Sequence, residues 1–335
     1  MRLPLLFTLC LSLITLTACS PMTFTVGLRP SDEKIESSIV ERDEGFWVRD
    51  RVAIVDISGL IHNVRTSGLL SSEPNPVGVL HETLEAARQD DNVKAIILRL
   101  NSPGGTVTAS DAMYREIERF RRETDKPVVT IMMDVAASGG YYVACATDHV
   151  IAYPTTITAS IGVIMQTVSV KPALARVGVQ AEAITSGPNK DTGSPLSTLT
   201  DEKRAVLQNM VDDFYTQFVG VVREARPNIT EADFADATDG RAVTGVAAYE
   251  MGLVDQLGDV HDAWAKAKQL AGVERAHLVM YHSNYQPANS PYARTPVGQP
   301  SSGTQVNIAQ INLDDLFTAG DATMAFMYLW RPNLP

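Results

Sequence analysis

Basic residues are in short supply: Lys and Arg number 28 against 39 Asp and Glu, for a formal net charge of −11, and no cationic block occurs anywhere. A phosphate backbone demands a basic face, so no nucleic acid is expected as a partner. Cysteine is scarcer still. Of the three, Cys10 and Cys19 lie close to the N-terminus, which leaves Cys145 alone in the body and no internal disulfide. The six histidines, His62, His81, His149, His261, His277 and His282, show no ligand spacing such as H-x-x-x-H, so neither a metal nor any other cofactor is expected. The G-x-x-x-x-G-K-[ST] pattern of a phosphate cradle is missing. So is a G-x-S-x-G elbow, and no histidine has a partnering motif, so a Ser/His/Asp triad is not indicated.

What is present is a globular composition. With 335 residues, 45% of them hydrophobic and 20% charged, the chain can bury a large core as one large domain or two small ones. Its beginning reads as a targeting segment. Met1-Arg2 is a short positive region, and Leu3 to Thr17 is an apolar stretch too short and too rich in Ser and Thr for a spanning helix. It ends Leu16-Thr17-Ala18-Cys19-Ser20, which resembles a lipobox, the bacterial signal cut before a cysteine that then carries lipid. Residues 1–18 are thus expected to be a leader, Cys19 the lipidated residue, and 19–47 a polar spacer.

The body, 48–283, alternates strands and helices. Arg51 to Ile57 and Val93 to Leu100 read as buried strands, Val77 to Asp90 and Val107 to about Arg122 as helices, and Val128 to Met133 as a third strand. That rhythm implies a mainly parallel α/β layer structure with right-handed crossovers, whose ligands sit at the carboxyl ends of strands. Two glycine turns fall at such ends. After Met133 come Asp134-Val135-Ala136-Ala137-Ser138-Gly139-Gly140-Tyr141-Tyr142, which place Ser138 where a helix begins, either as a nucleophile or as an N-cap with glycines that allow close packing. After Leu100 come Asn101-Ser102-Pro103-Gly104-Gly105. This turn can offer free N–H groups to a developing oxyanion, or it is a turn and nothing more. Cys145, seven residues beyond Ser138, reads as a packed core thiol.

A serine nucleophile needs a base. Lys190 is the sole cation of the polar loop Thr185-Ser186-Gly187-Pro188-Asn189-Lys190-Asp191, which follows a strand-like run from Ala181 to Ile184. It serves as a base only if burial lowers its pKa from about 10.4, and read alone it is a solvated loop lysine.

Four segments taken together resemble the S49 peptidases, the signal peptide peptidase A group. They are Asn101 to Gly105, Ala137 to Tyr142, Thr158-Ala159-Ser160-Ile161-Gly162-Val163, and Ser186 to Asp191, in that order, within a likeness running from Val52 to Gly272. The resemblance implies a crotonase-like or Clp-protease-like α/β fold of repeated ββα layers with a mainly parallel sheet. It implies a Ser/Lys dyad in which Ser138 is the nucleophile and Lys190, 52 residues later, the general base. Backbone N–H groups of Gly105 and Gly139 would form the oxyanion hole, with Gly104 supporting it, and Ser160 would orient the Lys190 amine. The chain departs from the family's pattern at Ala159, where glycine is more usual. The resemblance further implies a homo-oligomeric ring or dome, with a dyad that in some members is completed across subunits. Its substrates would be hydrophobic peptides such as remnant signal peptides, with a small residue at the cleaved position. With a lipid at Cys19, the catalytic domain would stand outside the cytoplasm, tethered to a membrane of the bacterial cell envelope.

Two other functions share these features. A crotonase-type acyl-CoA enzyme would use the same paired glycines but would have no role for Ser138 with Lys190, and a non-catalytic lipoprotein scaffold would keep the fold and the oligomer. The C-terminal part is less telling. Asp201 to Arg223 reads as an amphipathic helix whose Met210, Phe214, Tyr215 and Phe218 face a core or a subunit interface. Gly240 to Thr244 opens a helix through Met251, Gly252 to Asp255 resembles the S49 family's short closing strand and turn, and 284–305 is a linker rich in Pro, Ser, Asn and Gly. The tail, 306–335, regains apolar character, and it packs on a neighbouring subunit, lies on the membrane, or enters the peptide groove.

Overall fold

The computed structural model describes residues 35–64, 66–67, 72–73, 75–283, 288–293 and 326–330. In chain order, β1 (Ile35–Glu41) and β2 (Arg51–Ser58) lead to a short hairpin of β3 (Thr66–Ser67) and β4 (Ser72–Glu73), then α1 (Pro76–Gln89), β5 (Val93–Ser102) and β6 (Gly104–Thr106). Next come α2 (Val107–Thr124), β7 (Val128–Ala137), α3 (Gly139–Ala144), β8 (His149–Ala152), β9 (Ile157–Ala159) and α4 (Lys171–Arg176). The remainder is α5 (Asp201–Ala225), α6 (Glu231–Ala237), β10 (Ala242–Thr244), α7 (Gly245–Glu250), β11 (Gln256–Leu257), α8 (Val260–Leu270), β12 (His277–Ser283) and β13 (Met327–Leu329).

The apolar runs become central strands because both of their faces are covered. The sheet runs β1-β12-β2-β5-β7-β8-β11, parallel throughout except for β1 against β12. Along β5, Ile96 and Leu98 point to one face and meet Leu80, Leu84, Met113, Ile117 and Phe120 of α1 and α2. Ala95 and Ile97 point to the other and meet Val260, Ala263 and Trp264 of α8. Continuous hydrophobic strands with helices on both sides are what a parallel sheet requires. The expected mainly parallel α/β architecture therefore forms.

The strand β7 carries the chain out of the main sheet. Its first half, Val129 to Met132, pairs with β8, and its end, Val135 to Ala137, pairs with β9 instead. The ladder with β5 slips between Leu100 and Ser102, and there the Asn101 Oδ1 accepts the Val135 N–H at 3.1 Å. Asn101 thus satisfies a backbone donor left over by the irregularity.

Three expectations need correction. The sheet reaches into the segment read as spacer, because β1 begins at Ile35 and pairs along β12. Ala181 to Ile184 is not a strand. Glu182 to Ile184 are exposed and meet no neighbouring strand to complete a ladder, without which an extended segment leaves its amides unpaired. Ala242 to Thr244 forms a strand antiparallel to β9 rather than opening a helix, and α7 starts one residue later with Thr244 as its cap.

Candidate active site

Between the end of β7 and the start of α3 the chain has one residue in which to turn, Ser138. It does so with φ 53° and ψ −116°, outside the regions that a residue with a side chain prefers. Its N–H donates to the Ala159 carbonyl at 2.7 Å and its carbonyl accepts from the Tyr142 N–H at 2.9 Å, so both neighbours hold the turn. The Oγ is buried and makes no hydrogen bond among the described residues. An unpaired buried hydroxyl costs about 1–3 kcal/mol, so strain and an orphan donor coincide on one side chain.

The short helix behind Ser138 is held rigidly. All six of its residues are buried, the Tyr141 hydroxyl donates to the Leu253 carbonyl at 2.8 Å, and the Tyr142 hydroxyl donates to Asp111 Oδ1 at 3.0 Å. Beneath it Arg226 donates to both carboxylate oxygens of Asp255, at 2.9 and 3.0 Å. Burial pulls the Arg226 guanidinium pKa down, but the surrounding Tyr141, Cys145 and Asp255 outweigh that and hold it above its ordinary value. Burial pushes the Cys145 thiol up to about 12, so it stays protonated and is a packing group, as expected.

The glycines make a cleft that only glycine allows. Gly104 has φ +99°, and a Cβ there would stand 2.0 Å from the Tyr328 carbonyl oxygen and 2.7 Å from the Gly139 nitrogen. A Cβ on Gly139 would meet Ser110 Oγ at 2.4 Å and the same Tyr328 oxygen at 3.1 Å. Gly105 is shut in by the Ile61 carbonyl.

The oxygen in that cleft belongs to the C-terminal tail. Strand β13 lies antiparallel to β6, with Tyr328 opposite Gly105, while Val107 N–H donates to the Phe326 carbonyl and Trp330 N–H to that of Pro103. Alternation of the ladder makes Gly105 and Tyr328 a hydrogen-bonded pair, which directs the Gly105 N–H at the Tyr328 oxygen. On its other edge Met327 exchanges N–H···O bonds with Ile164 in both directions, each 3.0 Å. Residues 326–330 are thus an extended peptide bonded on both sides. These five residues lie across the glycine cleft of the same chain.

The other expected site residues are placed unequally. Ala159 and Ser160 both have positive φ, 60° and 52°. Alanine at such a position costs roughly 1–2 kcal/mol relative to the right-handed conformation, which glycine would avoid, and this is where the chain departs from the S49 pattern. Ser160 is buried, and its N–H donates to the Arg241 carbonyl at 2.8 Å. Lys190 is apart from all of this. It is exposed in a turn, and it is not within hydrogen-bond reach of Ser138 Oγ, which has no partner. Next to it the hydrogen bond from Lys203, at 2.6 Å, holds the Asp191 carboxyl below the usual range. Cys19, the leader, the first part of the spacer, most of the linker and most of the tail lie outside the described residues.

Comparison with known proteins joins this geometry to a family. The model of peptidase family S49 matches residues 120–274. A provisionally named protease of Synechocystis sp. is 36% identical over 216 residues, 64% of this chain and 75% of that protein. The chain belongs to peptidase family S49. Protease 4 of Salmonella typhi is also 36% identical, over 231 residues, 68% of this chain but 37% of that protein. A provisionally named signal peptide peptidase of Enterococcus faecium is 32% identical over 234 residues, covering 70% and 67%. Among the described residues no helix is long and apolar enough to cross a membrane.

Several residues at the groove escaped sequence reading. Ile61 and Ile164 border it through main-chain atoms, which no side-chain pattern announces. The aromatics of α5 were visible as an apolar stripe facing a core, and Phe214 and Phe218 do join the core, but that they also face the tail was not visible.

Proposed function

We propose that this S49 protein is a serine endopeptidase in which Ser138 is the nucleophile and Lys190 the general base, acting on hydrophobic peptides such as signal-peptide remnants. The observation that carries the reading is the buried, unpartnered Ser138 Oγ beside a glycine cleft that already holds a peptide carbonyl. Lys190 Nζ takes the hydroxyl proton as Oγ attacks the carbonyl carbon, and the oxyanion forms against the N–H groups of Gly105 and Gly139. The tetrahedral adduct then collapses, the Lys190 ammonium returns its proton to the leaving amine, and water hydrolyses the acyl-serine by the same path in reverse. Ser160 orients the amine.

A lysine works as a base only when shielded from water, and Lys190 is exposed on a single chain. A second chain covers it. The arm that carries Lys190 also exposes Ile164, Val168, Val177, Val179, Ile184 and Leu196, and α4 buries none of its residues. Apolar exposure of this extent marks an interface, and a ring or dome in which Lys190 of one subunit meets Ser138 of the next resolves the separation of the two residues. A lipid on Cys19 tethers the assembly to the envelope membrane, close to its substrates and outside the cytoplasm.

The test is hydrolysis of a fluorogenic apolar peptide by parent, Ser138→Ala and Lys190→Ala chains across about pH 6 to 10. Loss in both variants, with a parent rate rising at an apparent pKa well below that of a free lysine, supports the dyad. An inert parent, or variants that cleave equally well, leaves the scaffold reading. Turnover of acyl-CoA thioesters without peptide cleavage leaves the crotonase-type one.

A further inference from the structure

We infer that Ser102 is a positioning residue for the oxyanion hole, its buried hydroxyl fixing the turn whose Gly105 N–H meets the developing oxyanion. This rests on the peptidase reading and adds to it a side chain that touches no reacting atom. No part of Ser102 is exposed. Its Oγ donates to the Gly59 carbonyl at 2.6 Å and accepts the Gly104 N–H at 3.1 Å. A hydroxyl has one proton to give and lone pairs to accept with, so this single atom ties the loop after β2 to the glycine turn and occupies the Gly104 donor.

The direction of the next donor follows. The Gly104 carbonyl accepts the Ile61 N–H at 2.9 Å, and the Thr106 N–H donates to the Ile61 carbonyl at 2.9 Å. In a trans peptide C=O and N–H point opposite ways, so a Gly104 carbonyl drawn towards Ile61 sends the Gly105 N–H into the cleft. Glycine rotates more freely than any other residue, and Gly104 sits at φ +99°. Ile61 holds its carbonyl side and Ser102 its amide side, and with either released the turn can swing. Ser102 also abuts the strand and helix that carry the nucleophile. Its backbone lies opposite Ala136 of β7, and its carbonyl oxygen would stand 2.8 Å from a Cβ on Gly140. One residue thus sets the oxyanion donor and the start of α3 against each other.

The experiment compares full-length parent and Ser102→Ala chains with a fluorogenic apolar peptide, an aldehyde of the same peptide, and the corresponding alcohol. Ser138 Oγ adds to the aldehyde carbon, the C=O bond opens onto oxygen, and the Lys190 amine takes the hydroxyl proton, so the aldehyde draws on the hole whereas the alcohol forms no oxyanion. The tail competes with both inhibitors alike, so the ratio of their inhibition constants survives it. Ser102→Ala is expected to lower kcat about 10- to 100-fold and to weaken the aldehyde relative to the alcohol by a similar factor. A lowered unfolding midpoint with that ratio unchanged would show a structural serine and overturn the inference. Should Ser102→Ala not fold, Ser102→Cys fills the same space with a weaker acceptor and is read by the same ratio. A variant that cleaves as fast as the parent also overturns the positioning role and leaves the peptidase reading intact, whereas a parent that cleaves nothing overturns both.

Discussion

Lys203 Nζ lies 2.6 Å from Asp191 Oδ1, one residue along from Lys190, and both side chains are largely buried. The pair ties the Lys190 loop to the first turn of α5, whose cap is Thr200. Without it Lys190 would lose its bearing in the proposed dyad. Lys203→Met is expected to lower kcat/KM about 10- to 100-fold, the usual effect of a small misplacement of a catalytic group. Lys203→Arg should restore part of the loss. Unchanged kinetics for Lys203→Met would show that the loop is held by other means.

Separation of Ser138 from Lys190 on one chain makes a complementation experiment decisive for the shared dyad. Ser138→Ala and Lys190→Ala chains, each inert alone, should regain activity when unfolded together and reassembled. With random mixing about one quarter of sites would combine an intact serine with an intact lysine from a neighbour. If the mixture stays inert while remixed parent chains recover, the dyad lies within single chains.

Residues 326–330 lie across the glycine cleft, so on the proposed peptidase reading the tail competes with external peptides. Removal of residues 326–335 is expected to lower the KM for a short apolar peptide about tenfold or more with little change in kcat, since a tethered competitor acts at a high effective concentration. The same deletion should reduce stability, because Tyr328 is fully buried and loss of such a side chain typically costs about 3–5 kcal/mol. A KM that does not fall would mean that the tail leaves the groove freely.

The stability of the fold should also depend on pH through His149 and His277. Burial holds both below the ordinary imidazole value, and the Asp255 carboxylate 3.9 Å from His149 Nδ1 opposes this without cancelling it. In the unfolded chain both titrate near about 6.5, so as pH falls through that value the unfolded chain takes up protons that the folded one refuses. Their contribution is complete above that pH and is lost as pH falls through the folded values. Midpoints of thermal unfolding should drop between about pH 7 and pH 5, and His149→Gln should flatten the slope. A midpoint that rises on acidification contradicts this sign.

By itself the sequence determined the elements and where the chemistry would cluster. Val128 to Met132 can only be a covered strand, the glycines after Leu100 and Ser138 mark where each strand gives way to the next element, and helices α1, α2 and α5 end within a few residues of where periodicity and caps place them, because each of these depends on neighbours along the chain. Tertiary structure alone decided the rest. Ile35 to Glu41 looks like polar spacer until β12 offers it a hydrogen-bonding edge, and Ala181 to Ile184 looks like a strand but finds none. The positive φ of Ala159 follows from the contacts of β9 with β7 and β10, not from its own identity. Tyr328 shows the limit most plainly, since nothing near it in the chain indicates a groove. Its partners Gly105, Tyr142 and Phe218 lie over 100 residues away, and only the folded sheet brings their main-chain donors and aromatic faces together.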